Sequence, residues 1–234
     1  MKIRRAMAMA AGRGTRMMPL TADRCKALVE VNGKTLIDWT LDKFAAEGVE
    51  QAVVNVHHFA DALEAHLRGY EGLDVVISDE RETLLETGGG LVKAAPLLGN
   101  EPVFVANIDA VWVDGEEREM HRLAEAFDPE HMDFLLALSP LGENLGFDGP
   151  GNYFLHDDGR IAHCGTRTDA PFAYAGFQVM HPRVLKGQTI REFSTRELWQ
   201  TAASKGRLFG LPMRAFWMHV GDPKSRELAE NRLK

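Results

Sequence analysis

The sequence predicts an α/β protein: a Rossmann-like, mostly parallel mixed sheet with helices on both faces and a small substrate lobe. Three observations predict it. Five short apolar runs of strand length lie within the first 140 residues. Apolar residues recur at helical spacing between them, which is the pattern of β-α-β units. After about Leu141 the spacing changes to shorter, glycine- and aspartate-rich pieces.

Composition bounds the answer. The 234 residues carry 27 Lys plus Arg against 34 Asp plus Glu, a formal charge of −7, and 45% are hydrophobic, which suits one soluble domain. A charged fraction of 26% with 10 Pro makes no case for disorder, and no stretch approaches the roughly 20 apolar residues of a membrane helix. Overall acidity excludes a protein that coats nucleic acid with a broad basic face. Neither a membrane nor a nucleic-acid partner is expected. Cys25 and Cys164 lie far apart with no Cys-x-x-Cys spacing, so no disulfide framework or thiolate zinc site is indicated and a reducing cytoplasm is expected.

The first strand is read at Ala6 to Ala10. Its cationic lead, Met1 to Arg5, imitates a signal peptide, but the apolar run ends at Gly12-Arg13-Gly14 after about half a normal signal core. The other runs are Gln51 to Val56, Asp74 to Ser78, Val103 to Asn107 and Asp133 to Leu138. Between them Ile37, Leu41 and Phe44 share a helix face, as do Ala60, Leu63 and Leu67, then Leu91, Ala94, Ala95 and Leu98, then Met120, Leu123, Ala124 and Phe127. Parallel strands joined by right-handed crossovers open their carboxyl ends on one sheet edge, where such folds bind ligands. In the second half a hairpin is expected around Tyr153 and Ile161, turning at Asp157-Asp158-Gly159. A strand at Phe172 to Met180 follows, then a helix through Thr195, Leu198, Trp199 and Ala202, strands near Leu208 and Ala215, and a last helix from Pro223.

The segment Ala10 to Arg16 leaves the first strand with two glycines, and Arg13, Arg16, Arg24 and Lys26 place four cations within fourteen residues of an acidic chain. Successive amides in such a turn make an anion-binding concavity, so the loop is read as a phosphate cradle for a polyanion such as a nucleoside triphosphate. The plain alternative is a glycine turn with a solvated basic face. A dinucleotide fingerprint needs a glycine where Met17 stands, and no Gly-Lys-Ser/Thr exists for a P-loop.

Gly12 to Thr21, with Lys26 to Lys34 behind it, resembles the signature of sugar-1-phosphate nucleotidyltransferases. Val54-Asn55-Val56-His57-His58, Leu85 to Gly90 and Tyr174-Ala175-Gly176-Phe177 are most similar to the short bacterial N-acetylmuramate-1-phosphate uridylyltransferases and the related mannose-1-phosphate guanylyltransferases. The resemblance spans nearly the whole chain. It implies the nucleotide-diphospho-sugar transferase fold, with residues 1–140 as the nucleotide-binding half and 141–234 as the sugar-phosphate half of one domain. It also implies transfer of a nucleotidyl group from an NTP to a sugar 1-phosphate, with Mg²⁺ and release of pyrophosphate. Arg16, Lys26 and Asp109 become the catalytic residues, the Gly12 and Gly14 amides hold the phosphates, and Ala11, Arg13 and Thr15 complete the nucleotide-binding loop. Asn55, Thr87, Gly88 and Gly89 flank the base, and Asn152 and Gly176 contact the sugar. Relatives carry Pro where Cys25 stands, which leaves the Lys26 ammonium available.

Residue chemistry runs beside this resemblance. Gly88-Gly89-Gly90 is read as opening the helix whose apolar face begins at Leu91, with amides at the positive end of its dipole and no Cβ to obstruct a flat base. Asn55, at a strand's carboxyl end, is either a base or ribose contact or a turn former. Asp109 follows the buried run Val103 to Asn107, and a single carboxylate suffices for Mg²⁺ when phosphates and water complete its shell. Asp114, Glu116 and Glu117 read as a solvated acidic run. Gly176 lies mid-strand, where a missing side chain marks close approach by a ligand. Trp199 and Leu198 are assigned to the core, and the adjacent His57 and His58 to structural roles.

One position departs from the family pattern. Trp217-Met218-His219-Val220-Gly221-Asp222 stands where relatives carry Trp-x-Asp-Val-Gly-Thr, whose Asp is a metal ligand. Three readings compete: His219 ligates a softer metal such as Mn²⁺, it contacts phosphate while Asp109 alone anchors Mg²⁺, or turnover has been lost. The second is favoured, and Asp222 is expected to cap the helix from Pro223. The leading functional expectation is a UTP-using transferase acting on an N-acetylated amino-sugar or other hexose 1-phosphate, as monomer or homodimer. The alternatives are a GTP-using mannose-1-phosphate enzyme and a nucleotide- or sugar-binding sensor. With only a helix after Pro223, no acetyltransferase extension is expected.

Overall fold

The computed structural model describes residues 1–234. Strand β1 (Arg5–Met9) forms the middle of the sheet because both its faces can be buried: Ala6 and Ala8 belong to one hydrophobic cluster, and Met7 between them to the other. Two small antiparallel pieces, β2 (Glu30–Val31) and β3 (Lys34–Thr35), lead into α1 (Leu36–Ala46), whose start is capped by the Thr35 hydroxyl accepting from the Asp38 amide. There follow β4 (Gln51–Val56), α2 (Ala60–Leu67), β5 (Asp74–Asp79), α3 (Glu86–Leu98) and β6 (Val103–Asn107). Then come β7 (Ala110–Val113), α4 (Glu119–Ala126), β8 (Phe134–Pro140), β9 (Asn144–Leu145), β10 (Tyr153–Leu155), β11 (Ile161–His163) and β12 (Phe172–Met180). The chain closes with α5 (Arg196–Ser204), β13 (Leu208–Pro212), β14 (Phe216–His219) and α6 (Pro223–Arg232).

The central sheet runs β5-β4-β1-β6-β12-β8-β13, and the hairpin β10-β11 joins the start of β12. All pairings among β5, β4, β1 and β6 are parallel, as is β8 with β13, so the strands read as near-continuous apolar runs covered on both faces. The faces sort by helix. α1, α2 and α4 place Leu41, Leu63 and Leu123 in the larger cluster, while α3 and α5 place Leu91 and Leu198 in the other. No helix is long and apolar enough to cross a membrane.

The structure differs from the sequence reading at four places. β12 inserts antiparallel between β6 and β8, so the second half contributes a strand to the middle of the sheet. β7 is an additional strand: the chain turns back at Ile108 and Asp109 without a helix, and β7, β14 and β9 form a separate three-stranded sheet. α3 starts at Glu86, two residues ahead of the glycines, because Thr87 and the glycine amides find partners in a distant segment. Asp114 is not a solvated acid: its Oδ1 accepts from the Trp112 indole and the Glu119 amide at 2.9 Å each, and Lys43 pairs with Oδ2. As expected, Asp222 caps α6, in a reciprocal arrangement with Ser225.

Candidate active site

The carboxyl ends of the parallel strands supply the site. Ala10 and Ala11 follow β1, Asn55 lies near the end of β4, and Asn107 to Asp109 leave β6. Two adjoining cavities open there, of about 210 Å³ and about 290 Å³. Together they fall within the roughly 300–1,000 Å³ typical of small-molecule sites. The first is lined by Ala10, Ala11, Gly12, Lys26, Asn55 and Leu84 among others, and the second by Arg16, Asn152, Tyr174, Gly176, Arg196 and His219 among others. Thr87, Asn107 and Asp109 line both, so Asp109 stands where the cavities meet.

Asp109 is fixed by two sheets at once. β6 delivers it, and the pairing of His219 with Ala110 aligns β14 so that the Val220 amide donates to the Asp109 carbonyl at 2.9 Å. Its Oδ2 receives the Lys26 ammonium at 2.6 Å and lies 3.5 Å from His219 Nε2. Burial works against the carboxylate, but Lys26 and His219 hold its pKa well below the ordinary range. Lys26 is itself buried and opens a one-turn 3₁₀ helix, Lys26–Leu28, preceded by Cys25 at φ −71. That angle is one proline adopts, so Cys25 holds the turn in the shape the resemblance expects of Pro. Burial raises the Cys25 thiol pKa.

His219 Nδ1 lies 3.2 Å from the Gly146 carbonyl, which accepts from an Nδ1–H. With Nδ1 so engaged, Nε2 is turned toward the Asp109 carboxylate, where the two groups can share a proton or a cation. No group of three or more His, Cys, Asp or Glu side chains, here or elsewhere in the chain, is disposed to hold a metal ion; Asp109 and His219 are two.

The predicted base-contact residues are engaged differently. Asn55 Oδ1 accepts from the Ala10 and Ala11 amides at 2.6 and 3.3 Å, and its Nδ2 donates to buried Glu80 at 2.8 Å. Asn55 therefore shapes the turn after β1, and only its second amide hydrogen is left for a ligand. Glu80 is fully buried and also accepts from the Leu85 amide; desolvation pushes its pKa up despite these bonds. The Gly88 and Gly89 amides both donate to the Phe193 carbonyl, at 2.8 and 3.2 Å, and are not available to a base. A Cβ on Gly88 would meet the Phe193 ring at 2.5 Å, and one on Gly89 the Arg191 carbonyl at 2.0 Å. These glycines are required by the docking of residues 190–195 on α3, and the Thr87 hydroxyl completes it by accepting from the Thr195 amide.

The four cations do not converge. Lys26 and Arg16 line the cleft, whereas Arg24 pairs with Asp23, and Arg13 and Thr15 line a separate groove with His57 and His58. Gly14, at φ +64, lets the loop fold against Lys26. A methyl group added at Gly12 would meet nothing within 4 Å, so the backbone there lies open to a ligand in the first cavity. Gly176 lines the second cavity, but its glycine is required by φ +86 at a bulge in β12 and by Ala110, whose Cβ a side chain there would meet at 2.7 Å. Asn152 lines the same cavity, as does Trp199, which is a core residue donating to Gln178. Sequence reasoning missed Asn107, Leu84, Tyr174, Ser194 and Arg196. Asn107 adjoins Asp109 and was within reach; Ser194 and Arg196 arrive through tertiary docking that leaves no local motif.

With the geometry set out, comparison with known proteins gives a consistent result. The family model of the MobA-like NTP transferase domain matches residues 6–193. The chain is 49% identical over 232 residues to an N-acetylmuramate alpha-1-phosphate uridylyltransferase of Caulobacter vibrioides, covering 97% of this chain and 96% of that protein. It is 35% identical over 222 residues to a protein of the same description from Neisseria meningitidis, covering 93% of each. Among solved structures, a UDP-glucose pyrophosphorylase complexed with UDP-glucose superposes with a TM-score of 0.80 at 15% identity, over 99% of this chain and 98% of that one, which shows a shared fold.

Proposed function

The chain belongs to the MobA-like NTP transferase family, and from that premise we propose that it transfers the uridylyl group of UTP to N-acetylmuramate 1-phosphate, forming the UDP-sugar and pyrophosphate. Two relatives that match along nearly their whole length carry that description, which supports the choice of substrates. The observation that carries the reaction class is the pair of buried Lys26 with half-buried Asp109 at the junction of two cavities.

In the reaction an oxygen of the sugar phosphate attacks the α-phosphorus in line. The new P–O bond forms as the bond to the β-phosphate oxygen breaks, and pyrophosphate leaves with that electron pair. The attacking phosphate is already ionised, so the protein supplies no nucleophile and positions two anions instead. The Ala11 and Gly12 backbone and Lys26 face the nucleotide in the first cavity, and Arg16 faces the acceptor phosphate in the second. Their charges offset the mutual repulsion of the reactants in a site partly removed from water.

A divalent ion fits this donor set. Asp109 Oδ1 accepts no hydrogen bond and the His219 imidazole lies beside the carboxylate, so these two residues would hold the ion while phosphate oxygens and water complete its shell. When bound, Mg²⁺ neutralises phosphate charge as it develops on the leaving group; imidazole ligation would favour Mn²⁺.

Pyrophosphate release measured with four NTPs against N-acetylmuramate, N-acetylglucosamine and mannose 1-phosphates tests the proposal. UTP with N-acetylmuramate 1-phosphate is expected to give the highest kcat/KM. Preference for GTP with mannose 1-phosphate, or nucleotide binding without turnover under either metal, would contradict it.

A further inference from the structure

We propose that Arg196 is the specificity-determining residue of the second cavity, the one that reads the carboxylate which N-acetylmuramate 1-phosphate carries in addition to its phosphate. The inference rests on the transfer reaction above.

The charge count of that cavity motivates it. Arg16 and Arg196 line it, and its one carboxylate, Asp109, is already held by Lys26 at 2.6 Å. Arg16 enters from the loop after β1, next to the reacting phosphates. Arg196 stands elsewhere, on the wall that α5, β10 and β12 build around Tyr153, Tyr174 and Trp199. One phosphate therefore leaves a second cation without a counterpart.

Arg196 is free for that task. Its guanidinium makes no hydrogen bond or ion pair within the protein; only its backbone amide is engaged, with the Ser194 hydroxyl. The acid next to it, Glu197, is turned away into a pair with Arg191. Other arginines of this chain are mostly tied to carboxylates or carbonyls, as Arg183 and Arg207 are on Asp133. The charge of Arg196 acts on the Tyr153 phenol, and neither the Tyr153 nor the Tyr174 hydroxyl has a hydrogen-bond partner in the protein. A guanidinium in a cavity that two phenols also line offers a planar fork with further donors nearby, which match a carboxylate in two-pronged geometry. Neutral hydroxyls would be served by the phenols and Asn152 without a charge.

The position is also held firmly. Residues 190–195 are docked on α3 through the Gly88 and Gly89 amides and the Thr87 hydroxyl, so Arg196 is set relative to the nucleotide half rather than carried on a loose loop. A 2-N-acetylated hexose 1-phosphate with a carboxyl-bearing ether, the chemistry of N-acetylmuramate, has both charges required.

Three acceptors separate charge from shape: N-acetylmuramate 1-phosphate, its carboxyl methyl ester, and N-acetylglucosamine 1-phosphate. The readout is the ratio of kcat/KM for the free acid to that for the methyl ester. It is expected to be on the order of 10–100 in the wild type, the scale of one charge-assisted contact. In Arg196→Gln the ratio is expected to fall at least tenfold, and Arg196→Lys should retain part of it. A wild-type ratio near one, or a ratio unchanged by Arg196→Gln, would overturn the proposal. Calorimetric titration of the same acceptors gives the corresponding ratio of dissociation constants for ground-state binding, so a protein that binds without turnover would defeat the transfer reading while still deciding this one. Arg196 is exposed at the start of α5, and thermal melts of both variants check that the fold is retained.

Discussion

At the residue scale Lys26 and Asp109 set the charge where the two cavities meet. Lys26→Ala removes the cation nearest the junction of the cavities and is expected to lower kcat/KM for pyrophosphate release by about 10²–10³-fold, the loss typical of one electrostatic contact in a preorganised site. It also frees Asp109. In the wild type the depressed Asp109 pKa means that its contribution to stability is present above the ordinary Asp value near 3.9 and is lost only as pH falls through the lower folded value. In Lys26→Ala that value moves up, so the acid limb of the pH–rate profile should move to higher pH. An unmoved limb would show that Lys26 does not set the Asp109 charge. Glu80 behaves in the opposite sense: burial raises its pKa, so stability falls as pH rises through that value. Glu80→Gln removes this pH dependence but turns an amide donor toward either the Asn55 amide or the Leu85 N–H, both donors. We expect it to cost about 1–3 kcal/mol in denaturant melts near pH 7. Asp109 and Lys26 were legible in the sequence, one at the end of a buried strand and the other within a basic cluster. The engagement of Asn55 with the turn was not, because an Asn at a strand end has the same local sequence whether it faces a ligand or a neighbouring backbone.

At the element scale the segment of residues 190–195 joins the two halves of the cleft. It lies on α3 against Gly88 and Gly89, whose missing Cβ atoms make room for it, and it brings its own Ser194, and Arg196 directly after it, to the second cavity. Gly89→Ala would place a methyl group 2.0 Å from the Arg191 carbonyl, so the segment must shift. The expected result is a KM for the sugar phosphate raised about tenfold or more, with the KM for UTP changed less, and a loss of about 1–3 kcal/mol in stability. Equal effects on both KM values would show that the segment does not position the acceptor side. The long strands were legible because burial on both faces leaves an unbroken apolar run, as in Val103 to Asn107. β7 and β9 were not: they are 4 and 2 residues long and exist through pairing with β14, a partner more than 70 residues away. The antiparallel insertion of β12 was likewise invisible, since a buried strand carries no mark of its direction.

At the scale of the whole molecule, an acidic chain brings Arg16, Lys26 and Arg196 to the place where two anionic substrates must meet. The reading of residues 1–140 and 141–234 as nucleotide and sugar-phosphate halves is a functional proposal rather than a structural division, because β12 and β8 bind the second half into the same sheet as β1 and β6. The two cavities keep the distinction: one lies against the β1 loop, the other against β12 and α5, and Asp109 borders both. A crystal structure with the UDP-sugar product is the decisive test of this arrangement. The uridine is predicted in the cavity of Ala11, Gly12 and Thr87, the sugar beside Asn152 and Arg196, and the diphosphate against Lys26, Arg16 and Asp109. A product whose diphosphate lies remote from Lys26 and Asp109, or whose sugar occupies the first cavity, would contradict the account.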